Sequence, residues 1–188
     1  MLKQEIEKTL TVLKNGGIIL YPTDTIWGLG CDATNAEAVA RISAIKGRDA
    51  GKSFIVLLDT DAKLPGYVSE IPNVAYDLIE FAEDPLTIIL SGAKNLAPGV
   101  INTDGSVGIR ITRHEFSNQL IQRFRKPVVS TSANKSGEPS PRFFDEISDE
   151  IRNSVDYIVG LEQELRIERK PSTIMKLTPD GQFSFIRR

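Results

Sequence analysis

Histidine and cysteine each occur once in this sequence, and those scarcities narrow the chemistry open to it. A lone thiol, Cys31, can form neither an internal disulfide nor a multi-thiolate metal centre, and it fits a reducing compartment. Beside two glycines and a core strand, it reads as a small buried residue rather than a nucleophile. His114 has no second imidazole with which to build a zinc site, and it reads as structural or superficial. Charge of one sign is also lacking: the net is −2 over 188 residues, so nothing attracts nucleic acid globally, and any RNA contact would need a local basic patch. No apolar run approaches membrane-spanning length, and Met1–Glu5 lacks the apolar core of a signal peptide. These features predict a cytoplasmic protein without membrane attachment.

What is present is ordinary for a globular chain: 40% hydrophobic and 26% charged residues, enough for one domain spanning 1–188. Ile6, Leu10 and Leu13 recur at helical spacing over Leu2–Lys14, and Gly16-Gly17 supplies the stop. Ile18–Tyr21 is apolar on both sides, as a central strand is, and Pro22 breaks it. Thr34-Asn35-Ala36-Glu37 has the form of a capping box opening a helix that runs to Gly47. Phe54–Leu58, Leu86–Leu90, Val107–Ile111 and Pro127–Ser130 read as strands, with helices at Asn73–Phe81 and Ser117–Phe124. Candidate late strands lie at Tyr157–Val159, Thr173–Leu177 and Phe183–Ile186. Alternating helices and strands imply an α/β sheet covered by helices on both faces. Crowding of strands near the end favours a mixed sheet.

Three places could carry chemistry. Lys46, Arg48 and Lys52 cluster where a helix gives way to a strand. They form either a solvated helix end that complements the dipole or a grip for a multiply charged anion. Gly51-Lys52-Ser53 resembles the end of a P-loop. However, the required glycine five positions earlier is Lys46, and the segment runs helix to strand rather than the reverse. Ser130, Ser132 and Asn134 alternate after an apolar strand, as a turn or cap would, or as one wall of a pocket. Thr23, Asp24 and Thr25 follow the first strand in the same way. Ligands of open α/β sheets bind beyond the carboxyl ends of strands, where both turns are expected. Trp27 could be core or pocket wall, and Asp24 could support a pocket or cap the turn.

Tyr21-Pro22-Thr23-Asp24-Thr25-Ile26-Trp27-Gly28-Leu29-Gly30-Cys31-Asp32-Ala33, then Lys46-Gly47-Arg48, then Ser130-Thr131-Ser132-Ala133-Asn134 and Ser136–Ser140, resemble the YrdC/Sua5 family. The resemblance runs from about Gly17 to Leu177, and the Lys-x-Arg and Ser-x-Asn pair in this order is specific. It implies a twisted mixed sheet with a concave basic cavity, and L-threonylcarbamoyladenylate synthesis from L-threonine, bicarbonate and Mg²⁺-bearing ATP. The product would serve N6-threonylcarbamoyl modification of adenosine 37 in tRNA, with TsaD/TsaB/TsaE-like machinery downstream. The alternative implied is a weakly active paralogue binding tRNA or double-stranded RNA. Carried over by position, Thr25, Ser130 and Ser172 would contact threonine. Arg48, Lys52, Thr87, Ser132, Asn134, Ser140 and Arg187 would contact ATP, with Lys46 and Arg48 at the reacting phosphates. No resident metal site is implied. The chain departs from the family pattern at Leu57, where some members carry His, and at Trp27, where Tyr is common.

Overall fold

The computed structural model describes residues 1–47 and 54–187. Among the described residues, nine strands form a single sheet: β1 (Ile19–Tyr21), β2 (Gly28–Gly30), β3 (Ile55–Leu58), β4 (Leu86–Leu90), β5 (Val107–Ile111), β6 (Val128–Ser132), β7 (Tyr157–Ile158), β8 (Thr173–Leu177) and β9 (Phe183–Arg187). Helices are α1 (Leu2–Lys14), α2 (Ala36–Lys46), α3 (Leu64–Tyr67), α4 (Val74–Phe81), α5 (Glu115–Phe124) and α6 (Asp149–Asn153). The spatial order is β7-β1-β2-β6-β3-β5-β4-β8-β9. Pairs β1/β7, β3/β5 and β4/β8 are parallel and the remaining neighbours antiparallel, so the sheet is mixed.

Local chemistry explains most element ends. α1 stops at Asn15, and Gly16 then takes φ +74, a conformation that costs glycine little. α2 ends at Gly47 with φ +57, as expected of a glycine stop. Its start differs from the predicted capping box. Asn35, not Thr34, is the cap, accepting from the Glu37 and Ala38 amides, because Thr34 is engaged with the Asp32 carboxylate at 2.6 Å. α5 begins two residues earlier than predicted. β6 runs through Ser132, so Thr131 and Ser132, expected in the turn after the strand, belong to the strand itself. The strand β2 was not predicted, since Gly-Leu-Gly has little intrinsic preference for extended pairing. Its glycine is demanded by closeness: a Cβ on Gly30 would lie 2.7 Å from the Tyr21 ring and 2.9 Å from the Val129 carbonyl.

The two faces are covered unequally. One carries Leu20, Leu29, Val56, Leu58, Ile88, Ile109, Val129 and Met175, packed with Val39 and Ile42 of α2 and with residues of α3 and α4. On the other, α1 and α5 bring Ile6, Leu10, Leu13, Phe116, Leu120 and Phe124 against Ile19, Tyr21, Leu57 and Val128. Cross-strand partners share a face. Leu57 pairs with Arg110, Arg110 with Thr87, Thr87 with Ile174, and Ile174 with Arg187. The face that α1 and α5 cover in part therefore continues, without their cover, from Gly28 of β2 and Ser130 and Ser132 of β6 across β5, β4, β8 and β9. Helices on both faces were expected; on this one they cover only part.

Candidate functional site

On the uncovered part of that face lies a cavity of about 350 Å³. Its floor is built from short or absent side chains at strand positions that share the face: Gly28, Ser130, Ser132, Gly108 and Thr87. Residues Thr25–Trp27 form one wall, Ser140, Ser172 and Arg187 stand on another, Arg110 lines the cavity, and Phe54, Ile55 and Ile89 add apolar surface. The cavity lies over the sheet's face and takes in both predicted strand-end segments, Thr25–Trp27 past the end of β1 and Ser130–Ser132 at the end of β6. Alternation of Ser130 and Ser132 is the period-2 signature of one face of a strand.

Thr25, Thr87, Ser130, Ser132, Ser140, Ser172 and Arg187, all named from the sequence, line this cavity. Lys46 and Asn134 are not among the described lining residues, while Arg48 and Lys52 lie outside the described residues altogether. Trp27 resolves both ways: it is 6% exposed, packs on Phe144 with ring centroids 4.8 Å apart, and lines the cavity. Leu57 is fully buried beneath α1 and α5.

Arg110 was read only as part of a strand, and the structure makes it central. It is 4% exposed, donates from Nη2 to Thr25 Oγ1 at 3.3 Å and forms an ion pair with Asp24 at 3.1 Å. Its buried Nε has no hydrogen-bond partner, and neither has Asp24 Oδ1, which lies 3.1 Å from Nη2. A buried guanidinium with an idle donor beside a polar cavity is arranged for an anionic ligand. The signal in the sequence was a cation inside the apolar run Val107–Ile111, two residues from Gly108 and hence on its face.

Thr25 is held by Thr23, whose hydroxyl meets Thr25 Oγ1 at 3.0 Å and donates to the Ile26 carbonyl at 2.7 Å. Across the cavity, Thr87 and Ser172 hydroxyls lie 2.8 Å apart, and Arg187 donates to the Ser172 carbonyl from Nε at 3.0 Å and Nη2 at 2.8 Å. Burial, and secondarily the charge of Arg110, lowers the pKa of Arg187. Two guanidiniums that repel one another across a cavity gain from an anion placed between them.

Other groups take no chemical part here. Burial pushes the Cys31 thiol up, away from the reactive thiolate. His114 is held by Ser117 at 3.3 Å and Glu162 at 2.8 Å beside the start of α5. Among the described residues, no three His, Cys, Asp or Glu side chains are grouped to hold a metal ion.

A family model, Sua5/YciO/YrdC, described as telomere recombination, matches residues 11–188. A threonylcarbamoyl-AMP synthase of Pseudoalteromonas translucida is 34% identical over 172 residues, spanning 90% of this chain and 91% of its own. E. coli YciO superposes with a TM-score of 0.85 at 26% identity, over 100% of this chain and 90% of its own. P. abyssi Sua5 complexed with L-threonine gives 0.80 at 29% identity, over 92% of this chain and 50% of its own. The present chain therefore spans about half the length of that Sua5 protein.

Proposed function

Because this chain belongs to the Sua5/YciO/YrdC family, we propose that its cavity makes threonylcarbamoyl-AMP and pyrophosphate from L-threonine, bicarbonate and ATP. The observation that carries this reading is the pair of arginines, Arg110 and Arg187, set into a floor of glycine, serine and threonine. Such a floor leaves volume for ligands, and its hydroxyls and guanidiniums match carboxylate and phosphate oxygens.

Threonine sits toward Thr25, Ser130 and Ser172, its carboxylate taken by the idle Nε of Arg110. ATP sits toward Thr87, Ser132, Ser140 and Arg187. The two sets meet at the hydroxyl pair Thr87–Ser172. Threonine's amine adds to bicarbonate with loss of water to give a carbamate. A carbamate oxygen then attacks the α-phosphorus, and the bond from that phosphorus to the pyrophosphate oxygen breaks. This makes the enzyme a nucleotidyltransferase. No enzyme nucleophile is required; the protein aligns the reactants and neutralises charge building on the phosphates. The Mg²⁺–ATP complex is the substrate, its ion held by phosphate oxygens and water.

We read residues 1–188 as one domain of a cytoplasmic protein. No described helix is long and apolar enough to cross a membrane. Transfer of the product to adenosine 37 of tRNA falls to TsaD/TsaB/TsaE-like partners, and RNA contact is not needed for the adenylate step. The test is mass-spectrometric detection of threonylcarbamoyl-AMP from purified protein, ATP, Mg²⁺, bicarbonate and threonine, with serine as the control. Product with threonine supports the reading; a folded protein that forms none contradicts it.

A further inference from the structure

Lys46 ends α2, yet its side chain turns inward and the residue is 4% exposed. Its ammonium donates to the carbonyls of Ser132 at 2.6 Å and Asn134 at 2.7 Å, with the Ser132 hydroxyl 3.5 Å away. The contact is returned, because the Ser136 amide donates to the Lys46 carbonyl at 2.8 Å. Asn134 fastens the same turn from within, its amide donating to the carbonyls of Lys135 at 2.9 Å and Glu138 at 2.7 Å. An ammonium is a compact charge with three donors, suited to gathering main-chain carbonyls. Buried there, it is costly to remove, since the carbonyls would lose their partner.

We propose that Lys46 is a positioning residue, which holds the backbone of residues 132–136 and thereby sets the Ser132 hydroxyl at the cavity wall, rather than a group that contacts the nucleotide. This rests on the reading of the cavity as an adenylate-forming site. It also gives a mechanical reason for the Lys-x-Arg and Ser-x-Asn motifs to occur together: the lysine of the first is bonded to the main chain of the second.

The test is Lys46→Met, which keeps the stem and removes the ammonium. Backbone hydrogen exchange should accelerate about tenfold or more at residues 132–138 and stay near wild type elsewhere. Affinity for a non-hydrolysable ATP analogue should fall no further than in Ser132→Ala, with unaltered salt dependence, while kcat falls by about tenfold or more. Adding Ser132→Ala to Lys46→Met should cost little beyond the single variant, as for residues acting in one unit. Three results would each overturn the proposal: a loss of analogue affinity beyond that of Ser132→Ala or a shallower salt dependence, unchanged exchange in the turn, or faster exchange with unchanged kcat. If Lys46→Met does not fold, the same readings are taken on Lys46→Gln, whose amide still donates. Exchange and analogue binding read the turn even where no product forms, so a failure of the synthase reading shows separately, in the wild-type protein.

Discussion

Two stretches of one sheet face invite comparison. At the β1 end, Ile19, Tyr21, Leu57 and Val128 lie beneath α1 and α5 and are fully buried. Gly28 of β2, Ser130 of β6, Gly108 of β5 and Thr87 of β4 occupy positions of the same face and meet a cavity instead. Backbone and pleat are shared, so side-chain size and polarity make the difference. Large apolar groups offer area whose burial docks a helix, at about 25 cal/mol per Å². Glycine and small hydroxyls interrupt the apolar area that Ile55, Ile89 and Ile174 offer, and the face stays open. Arg110 stands at the border, paired in register with Leu57 on one side and Thr87 on the other.

The comparison breaks most visibly at that border. Arg110→Met, combined with Asp24→Asn so that no carboxylate is stranded, should lower kcat/KM for threonine by at least about 10³-fold. Its melting temperature should stay close to that of the parent. A fall under about tenfold would place the anion elsewhere.

The covered stretch should answer in the opposite currency. Leu57→Ala should cost about 3 kcal/mol of stability in denaturant titrations, with activity per folded molecule retained. Lost catalysis in a stable variant would dissolve the distinction between the two stretches.

Gly108→Val sharpens the contrast, since it gives the open stretch a side chain typical of the covered one. A Cβ there would meet Ile55 and Thr87 at 3.4 Å, an ordinary contact, so the fold should tolerate it. KM for threonine or ATP should rise about tenfold as the floor fills, with a change in melting temperature of only a few degrees. Unchanged constants for both substrates would remove Gly108 from the site.

The smallest effect concerns how α1 is held down. Glu5 accepts from the Tyr157 hydroxyl and the Gly160 amide, each at 2.8 Å. Burial pushes its pKa up, but bonds from Gly160, Tyr157 and Lys8 outweigh that and leave it lowered. A lowered carboxylate stabilises the fold above its ordinary value of about 4.5, and that contribution fades as pH falls toward the folded value. Glu5→Gln should therefore cost about 1–2 kcal/mol at pH 7. The gap from wild type should narrow in acid. A constant gap across urea titrations at both pH values would rule out a charge-dependent role.

Much of this was legible before the structure. The strands Leu86–Leu90, Val107–Ile111 and Thr173–Leu177 match their predicted bounds because apolar runs between turn residues leave little choice. The hydroxyls that line the cavity were named as well. Three things escaped, each because a non-local contact decided it. β2 is a strand because Gly30 alone fits between Tyr21 and Val129, which local propensity does not record. Ser132 looked like part of a turn because its partner, Gly28, is distant in sequence. Arg110 looked like one charge in a strand, since its partner Asp24 lies 86 positions away, by subtraction of the two residue numbers. Placing the site on the face required knowing how far α1 and α5 reach.

The most direct measurement is a crystal structure of the protein with threonine and a non-hydrolysable ATP analogue. Threonine's carboxylate should lie against Arg110 Nε, and the α-phosphate near Thr87 and Ser172, over the glycine floor. Either ligand bound away from that floor, with Arg110 Nε still without a partner, would contradict the account.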